Sequence, residues 1–120
     1  KNFKIRGAMK KIRLTQREKQ ALGVFVSRVR AELGGNIVGI RLYGSKARGD
    51  FHKDSDVDVA VLVRELDYKM KSAVSGIAFD VDLQYEIFIS PRVIPVQLLT
   101  ARVWRITPFI RNLKKEGIAL

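Results

Sequence analysis

The chain has 120 residues, 47% of them hydrophobic and 29% charged, which fits one domain with its own apolar core. It has no cysteine, which excludes disulfides, thiolate metal sites and thiol nucleophiles. Lys and Arg number 23 against 12 acids, a net charge of +11 that attracts nucleic acid, nucleotides or an acidic partner, and no apolar run reaches membrane-spanning length.

Part of the basic excess lies in residues 1–13, where Lys1, Lys4, Arg6, Lys10, Lys11 and Arg13 occur without an acid. We read this stretch as a basic N-terminal extension of a single domain spanning 1–120. It is not followed by the apolar segment of a secretion signal, so a cytoplasmic location is expected. Thr15 and Glu18 then form the T-x-x-E capping box that opens a helix. Leu22, Phe25, Val29 and Leu33 give that helix one apolar face, and Gly34-Gly35 ends it. Ile37 to Tyr43 reads as strand 1, Gly44 to Ser55 as a polar connection, and Val57 to Val63 as strand 2. Asp67 caps a second helix whose buried stripe is Met70, Ala73, Val74, Ile77 and Val81. Tyr85 to Ile89 is expected as strand 3, stopped by Ser90-Pro91. Pro95 prevents one long helix over 92–106. Thr107-Pro108 opens the last helix, with Phe109, Ile110 and Leu113 inward and Gly117 at its end. The expected fold class is α+β (α/β): a small mixed sheet with helices packed on one face.

Asp56 and Asp58 flank Val57 at the start of strand 2. Residues i and i+2 of a strand point to one side, so the two carboxylates project together. Like charges so close repel unless a cation lies between them, and Mg²⁺ takes a few carboxylates plus phosphate and water oxygens. Gly44-Ser45, at the end of strand 1, offers backbone N–H groups and a hydroxyl to a phosphate. Lys46 and Arg48 follow within expected reach of the same phosphates. Each part alone is weak: Asp-x-Asp is more often a pair of surface acids, and Gly-Ser is nearly always only a turn.

Together the parts are far more specific. Tyr43-Gly44-Ser45-Lys46-Ala47-Arg48-Gly49-Asp50, followed by Ser55-Asp56-Val57-Asp58-Val59, resembles the nucleotidyltransferase superfamily of DNA polymerase beta. By its short length the chain most resembles the minimal nucleotidyltransferases, which often accompany a HEPN-domain protein as the antitoxin of a toxin–antitoxin pair. The resemblance implies two Mg²⁺ ions held by Asp56, Asp58 and a third carboxylate on a later strand. Glu86, on the expected strand 3, is the best candidate, with Asp80 and Asp82 as competitors. It implies that Gly44, Ser45 and Arg48 anchor the triphosphate, and that Glu86 also serves as base. It further implies transfer of AMP from ATP to a hydroxyl of a HEPN partner. His52, the only histidine, is read as exposed loop, and Trp104, the only tryptophan, as core or interface. One competing reading is an antitoxin that acts by contact alone, against which the Asp pair argues. Another is a nucleic-acid-binding domain, motivated by the charge but supported by no motif. Transfer to a small antibiotic would call for an extra helical domain, for which 120 residues leave no room.

Overall fold

A computed structural model describes residues 14–48, 56–102 and 104–120, with the side chains of Ser45 and Arg48 left aside. The basic extension 1–13 and the loop 49–55, with His52, lie outside the described residues. Helix α1 (Gln16–Leu33) opens on Thr15, and both halves of the expected capping box are made. The Glu18 N–H donates to Thr15 Oγ1 at 3.1 Å, and the Thr15 N–H donates to Glu18 Oε1 at 2.9 Å. Such a cap contributes about 1 kcal/mol by pairing N–H groups that the helix leaves free. Strand β1 (Ile37–Tyr43) follows, then the short helix α2 (Ser45–Arg48) and strand β2 (Val57–Val63). Helix α3 (Tyr68–Tyr85) opens on Asp67, whose Oδ1 accepts from the Met70 N–H at 2.7 Å. Strand β3 (Ile89–Pro95), two single-turn 3₁₀ segments (Val96–Leu99 and Trp104–Ile106), helix α4 (Pro108–Glu116) and strand β4 (Ile118–Ala119) complete the order.

The strands form one mixed sheet in the order β3-β2-β1-β4. β1 runs antiparallel to β2 and β4, whereas β2 and β3 are parallel because α3 carries the chain back between them. α1 and α3 cover one face. Leu22, Phe25 and Val29 meet Val74, Ile77 and Val81 over Val57, Val59, Val61 and Val63. Each such side chain contributes about 1.5–3 kcal/mol when fully buried. The alternate residues of β2, Ala60 and Leu62, face the other way into a smaller core. There they meet Ile94 and Leu113, with Tyr43 and Phe109 packed against them, so α4 adds a cover to the second face.

Strand 3 lies further along the chain than the sequence suggests. Tyr85 is the last residue of α3, and Glu86 is its C-cap in the left-handed region at φ 56°. A non-glycine residue there costs about 1 kcal/mol. The strand then runs straight through Ser90-Pro91. The Val57 N–H donates to the Phe88 carbonyl at 2.8 Å, which fixes the alternation. Ser90, Arg92 and Ile94 turn their backbone groups to β2, while Ile89, Pro91, Val93 and Pro95 turn theirs to the open edge. Proline is tolerated at outward positions of an edge strand because no ladder bond needs its N–H. The outward N–H of Ile89 donates to Asp82 Oδ1 at 2.9 Å. Two prolines and a side-chain cap thus blunt an edge that would otherwise recruit another strand.

Candidate active site

β1 and β2 bring the two halves of the motif into contact. Tyr43 is paired with Asp58 across the ladder, so the next residue, Gly44, lies beside the Asp58 carboxylate. Gly44 has φ 78°, and a Cβ there would collide with Asp58 Oδ2 and lie 3.2 Å from its Cγ. Glycine is therefore required twice, by backbone conformation and by the space the carboxylate occupies. Gly44→Ala should lose about 1–2 kcal/mol from the dihedral alone and push the Asp58 carboxylate aside. A melting curve beside a nucleotidyl-transfer assay checks this; an alanine variant as stable and as active as the parent would contradict it.

α2 starts directly after Gly44 and fixes the chain as it leaves β1. Ala47 is buried beneath it, and Lys46 is only 1% exposed. Lys46 does not lie free for phosphates, as its place in the loop suggests. It turns inward, and its Nζ stands 2.7 Å from Glu18 Oε2. Glu18 thus closes the α1 cap with one carboxylate oxygen and holds the site's loop with the other.

Asp58 is half-buried, on the face that carries Ala60 and Leu62. Asp56 is exposed and immediately precedes β2. Tyr43 packs edge-to-face on Phe109, with ring centroids 5.4 Å apart. The Arg92 guanidinium lies over the same ring at 4.6 Å. Burial, aided by Asp58, pushes the Tyr43 phenol above its usual value, and Arg92 pulls the other way. Asp82 is also pushed up, mainly by burial; its bond from the Ile89 N–H opposes the rise and Asp56 adds to it.

Glu86 does not face the Asp pair from a strand. It caps α3, its side chain is 84% exposed, and its nearest cation is Arg17 at 4.0 Å. The β3 residue level with Asp58 is Ser90, followed on that face by Arg92. Among the described residues, no group of three or more His, Asp or Glu side chains could hold one metal ion. Among the described residues, the candidate donors at the motif are the two carboxylates of Asp56 and Asp58, hard oxygens that suit Mg²⁺ completed by phosphate and water. The Asp58 carboxylate itself takes the space that a Cβ at Gly44 would fill, which brings it close against the backbone of the turn. Arg92 was not legible as a neighbour of Tyr43, since only the continuation of β3 through Pro91 brings it to this face. A separate groove of about 410 Å³ runs along the outer edge of β3 and includes Trp104, Arg92 and Phe109 but neither carboxylate. Trp104 is half exposed at this groove and belongs to neither apolar core.

Comparison with known proteins gives three findings. Residues 24–119 match the family model of the nucleotidyltransferase domain. A "Putative protein adenylyltransferase" of Methanocaldococcus jannaschii is 49% identical over 51 residues, which is 42% of this chain and 52% of that protein. A second protein so named, from the same organism, is 31% identical over 104 residues, 86% of this chain and 97% of that protein. The chain therefore spans about half the length of the first relative and nearly all of the second. A crystal structure of a toxin–antitoxin with AMP-PNP superposes with a TM-score of 0.52 at 18% identity, over 79% of this chain and 68% of that one. At that identity the likeness is one of fold. Among the described residues, no helix is long and apolar enough to cross a membrane.

Proposed function

The chain belongs to the nucleotidyltransferase domain family, and from that premise we propose that it transfers a nucleotidyl group, AMP from ATP, to a hydroxyl of a partner protein. The observation that carries this reading is the contact between Gly44 and the Asp58 carboxylate at the end of β1. It sets the turn that would approach a phosphate, one residue past the Tyr43–Asp58 ladder pair, beside the acid that would hold the metal. Asp56 and Asp58 would hold a divalent cation, which when bound neutralises the carboxylates and stabilises charge on the phosphate oxygens. The backbone N–H groups after Gly44, with Ser45 and Arg48, would hold the triphosphate. The acceptor oxygen forms the new bond to the α-phosphorus as the bond to the β-phosphate oxygen breaks. Pyrophosphate leaves, and the hydroxyl proton passes to solvent. Glu86 has no part in this scheme.

The named activity of the two relatives supports a protein acceptor. The toxin–antitoxin neighbour with AMP-PNP supports ATP as donor and a toxin as partner. The resemblance of the Gly-Ser and Asp-Val-Asp segments to minimal nucleotidyltransferases supports a HEPN protein in that role, acting in the cytoplasm. The net charge of +11 favours fast encounter with an acidic partner. The test is transfer of label from α-labelled ATP, with Mg²⁺, to a HEPN-type protein encoded beside this chain. Labelling of that protein is the expected result. No labelling, with the partner still neutralised, would replace the enzyme by an antitoxin that acts through contact alone.

A further inference from the structure

The groove along the outer edge of β3 takes no part in the chemistry proposed above. Its volume of about 410 Å³ is in the range of ligand pockets. Pro91, Val93 and Pro95 line it from β3, Lys71 from α3, and Leu98 and Trp104 from the segment after β3. Of the β3 residues that turn outward, Ile89 has given its N–H to Asp82 and the two prolines have none, which leaves the N–H of Val93. An extended segment can therefore make one backbone rung here, at Val93, and not a continuous ladder. The chain after this point is strongly basic. From Arg92 to Lys115 it carries Arg92, Arg102, Arg105, Arg111, Lys114 and Lys115 and no acid. Arg92 lines the groove, Arg105 is exposed beside Trp104, and Lys71 is exposed on the α3 wall.

An apolar groove with basic walls suits an acidic protein segment better than a nucleic acid. Single strands bind through successive stacked rings, and here the Phe109 ring is already engaged by Arg92 and Tyr43, which leaves Trp104 alone. The groove also has a direction. β2 and β3 are parallel, Asp58 is level with Ser90, and the groove begins at the next residue, Pro91. Neither carboxylate lines it, yet the three residues from Val93 back to the level of Asp58 span only about 10 Å of extended chain. Resting on the reading of this chain as a protein nucleotidyltransferase, we propose that the groove holds an acidic segment of the acceptor protein. One apolar side chain of that segment packs on Trp104, and its backbone makes the rung at Val93. The segment leaves the groove at Pro91 and brings a hydroxyl a few residues away to the Asp58 end of β2.

The probe is the protein encoded beside this chain, used as in the transfer assay above. The chain has no cysteine, so Trp104→Cys carries a benzophenone maleimide at one place only, with an aromatic ring in place of the indole. Irradiation should link position 104 to an acidic stretch of the acceptor, a few residues from the hydroxyl that takes the label. Leu83→Cys, exposed on α3 outside the groove, should give no such link. Lys71→Glu combined with Arg105→Glu should keep the melting temperature, kcat and the KM for ATP. It should raise the KM for the acceptor on the order of 10- to 100-fold at low salt, because reversed charges repel the segment that the parent attracts. Wild-type labelling with an unchanged acceptor KM in that double variant would overturn the proposal. So would a link from position 104 to a part of the acceptor remote from the labelled hydroxyl, or to an added oligonucleotide that displaces the acceptor. No labelling by the wild type would instead remove the transferase reading on which the role of the groove rests, an outcome distinct from labelling that ignores the groove.

Discussion

Asp58→Asn should lower nucleotidyl transfer on the order of a thousandfold, about 4 kcal/mol of transition-state stabilisation, and leave the fold in place. The change keeps the shape of the side chain and removes the charge that holds a cation. The charge lies off the main core: Val57, Val59, Val61 and Val63 face α1 and α3, whereas Asp58 faces the other side. Relief of the repulsion between Asp56 and Asp58 should leave the melting temperature unchanged or slightly raised. Asp56→Asn should behave alike, with a smaller effect on stability because Asp56 is exposed. The measurement is label transfer from ATP to the partner beside a melting curve for each variant. Wild-type labelling by Asp58→Asn would refute the metal role, and a large fall in melting temperature would show instead that the carboxylate holds the fold.

The parts of the molecule that were legible in the sequence are those set by neighbours along the chain. The Thr15–Glu18 capping box, the Asp67 cap and the Thr107-Pro108 start are local chemistry, and each begins a helix where its residues stand. β1 and β2 have the bounds their apolar pattern gives. The Gly-Ser and Asp-Val-Asp segments meet because two adjacent antiparallel strands leave them no other place. What was hidden depends on partners distant in sequence. Pro91 reads as a stop until one knows that β3 is an edge strand and that residue 91 faces away from β2. That single misreading moved the strand upstream and put Glu86 on it. β4 is two residues long and carries no pattern; it exists because α4 returns the chain to the free edge of β1. Lys46 looks like one more loop cation, and only the proximity of α1 to α2 shows that it points inward.

Lys46→Met should be the most destabilising single change near the site. Lys46 and Glu18 are 1% and 9% exposed and 2.7 Å apart, so neither charge has water to replace its partner. Removing one member of a buried pair typically costs about 3–5 kcal/mol, because the other charge stays desolvated and unpaired. In a domain of this size that corresponds to a fall in melting temperature of roughly 10 °C or more. Glu18→Gln should cost less than Lys46→Met. Gln can still accept the Thr15 N–H bond of the cap and offer a neutral carbonyl oxygen to the Lys46 ammonium. The double variant Glu18→Gln with Lys46→Met should be more stable than Lys46→Met alone, since no unpaired charge then remains in the interior. The same series reads the effect on function. With Lys46 gone, α2 loses its tie to α1, and the backbone after Gly44 loses the fixed position from which it would meet the triphosphate. The double variant should therefore regain stability without regaining the full rate, as a higher KM for ATP. Denaturant unfolding of the three variants and the parent, with kcat and KM for each, separates the two effects. A Lys46→Met chain that unfolds at the parent's denaturant midpoint would mean the pair is solvated in solution and does not anchor the loop.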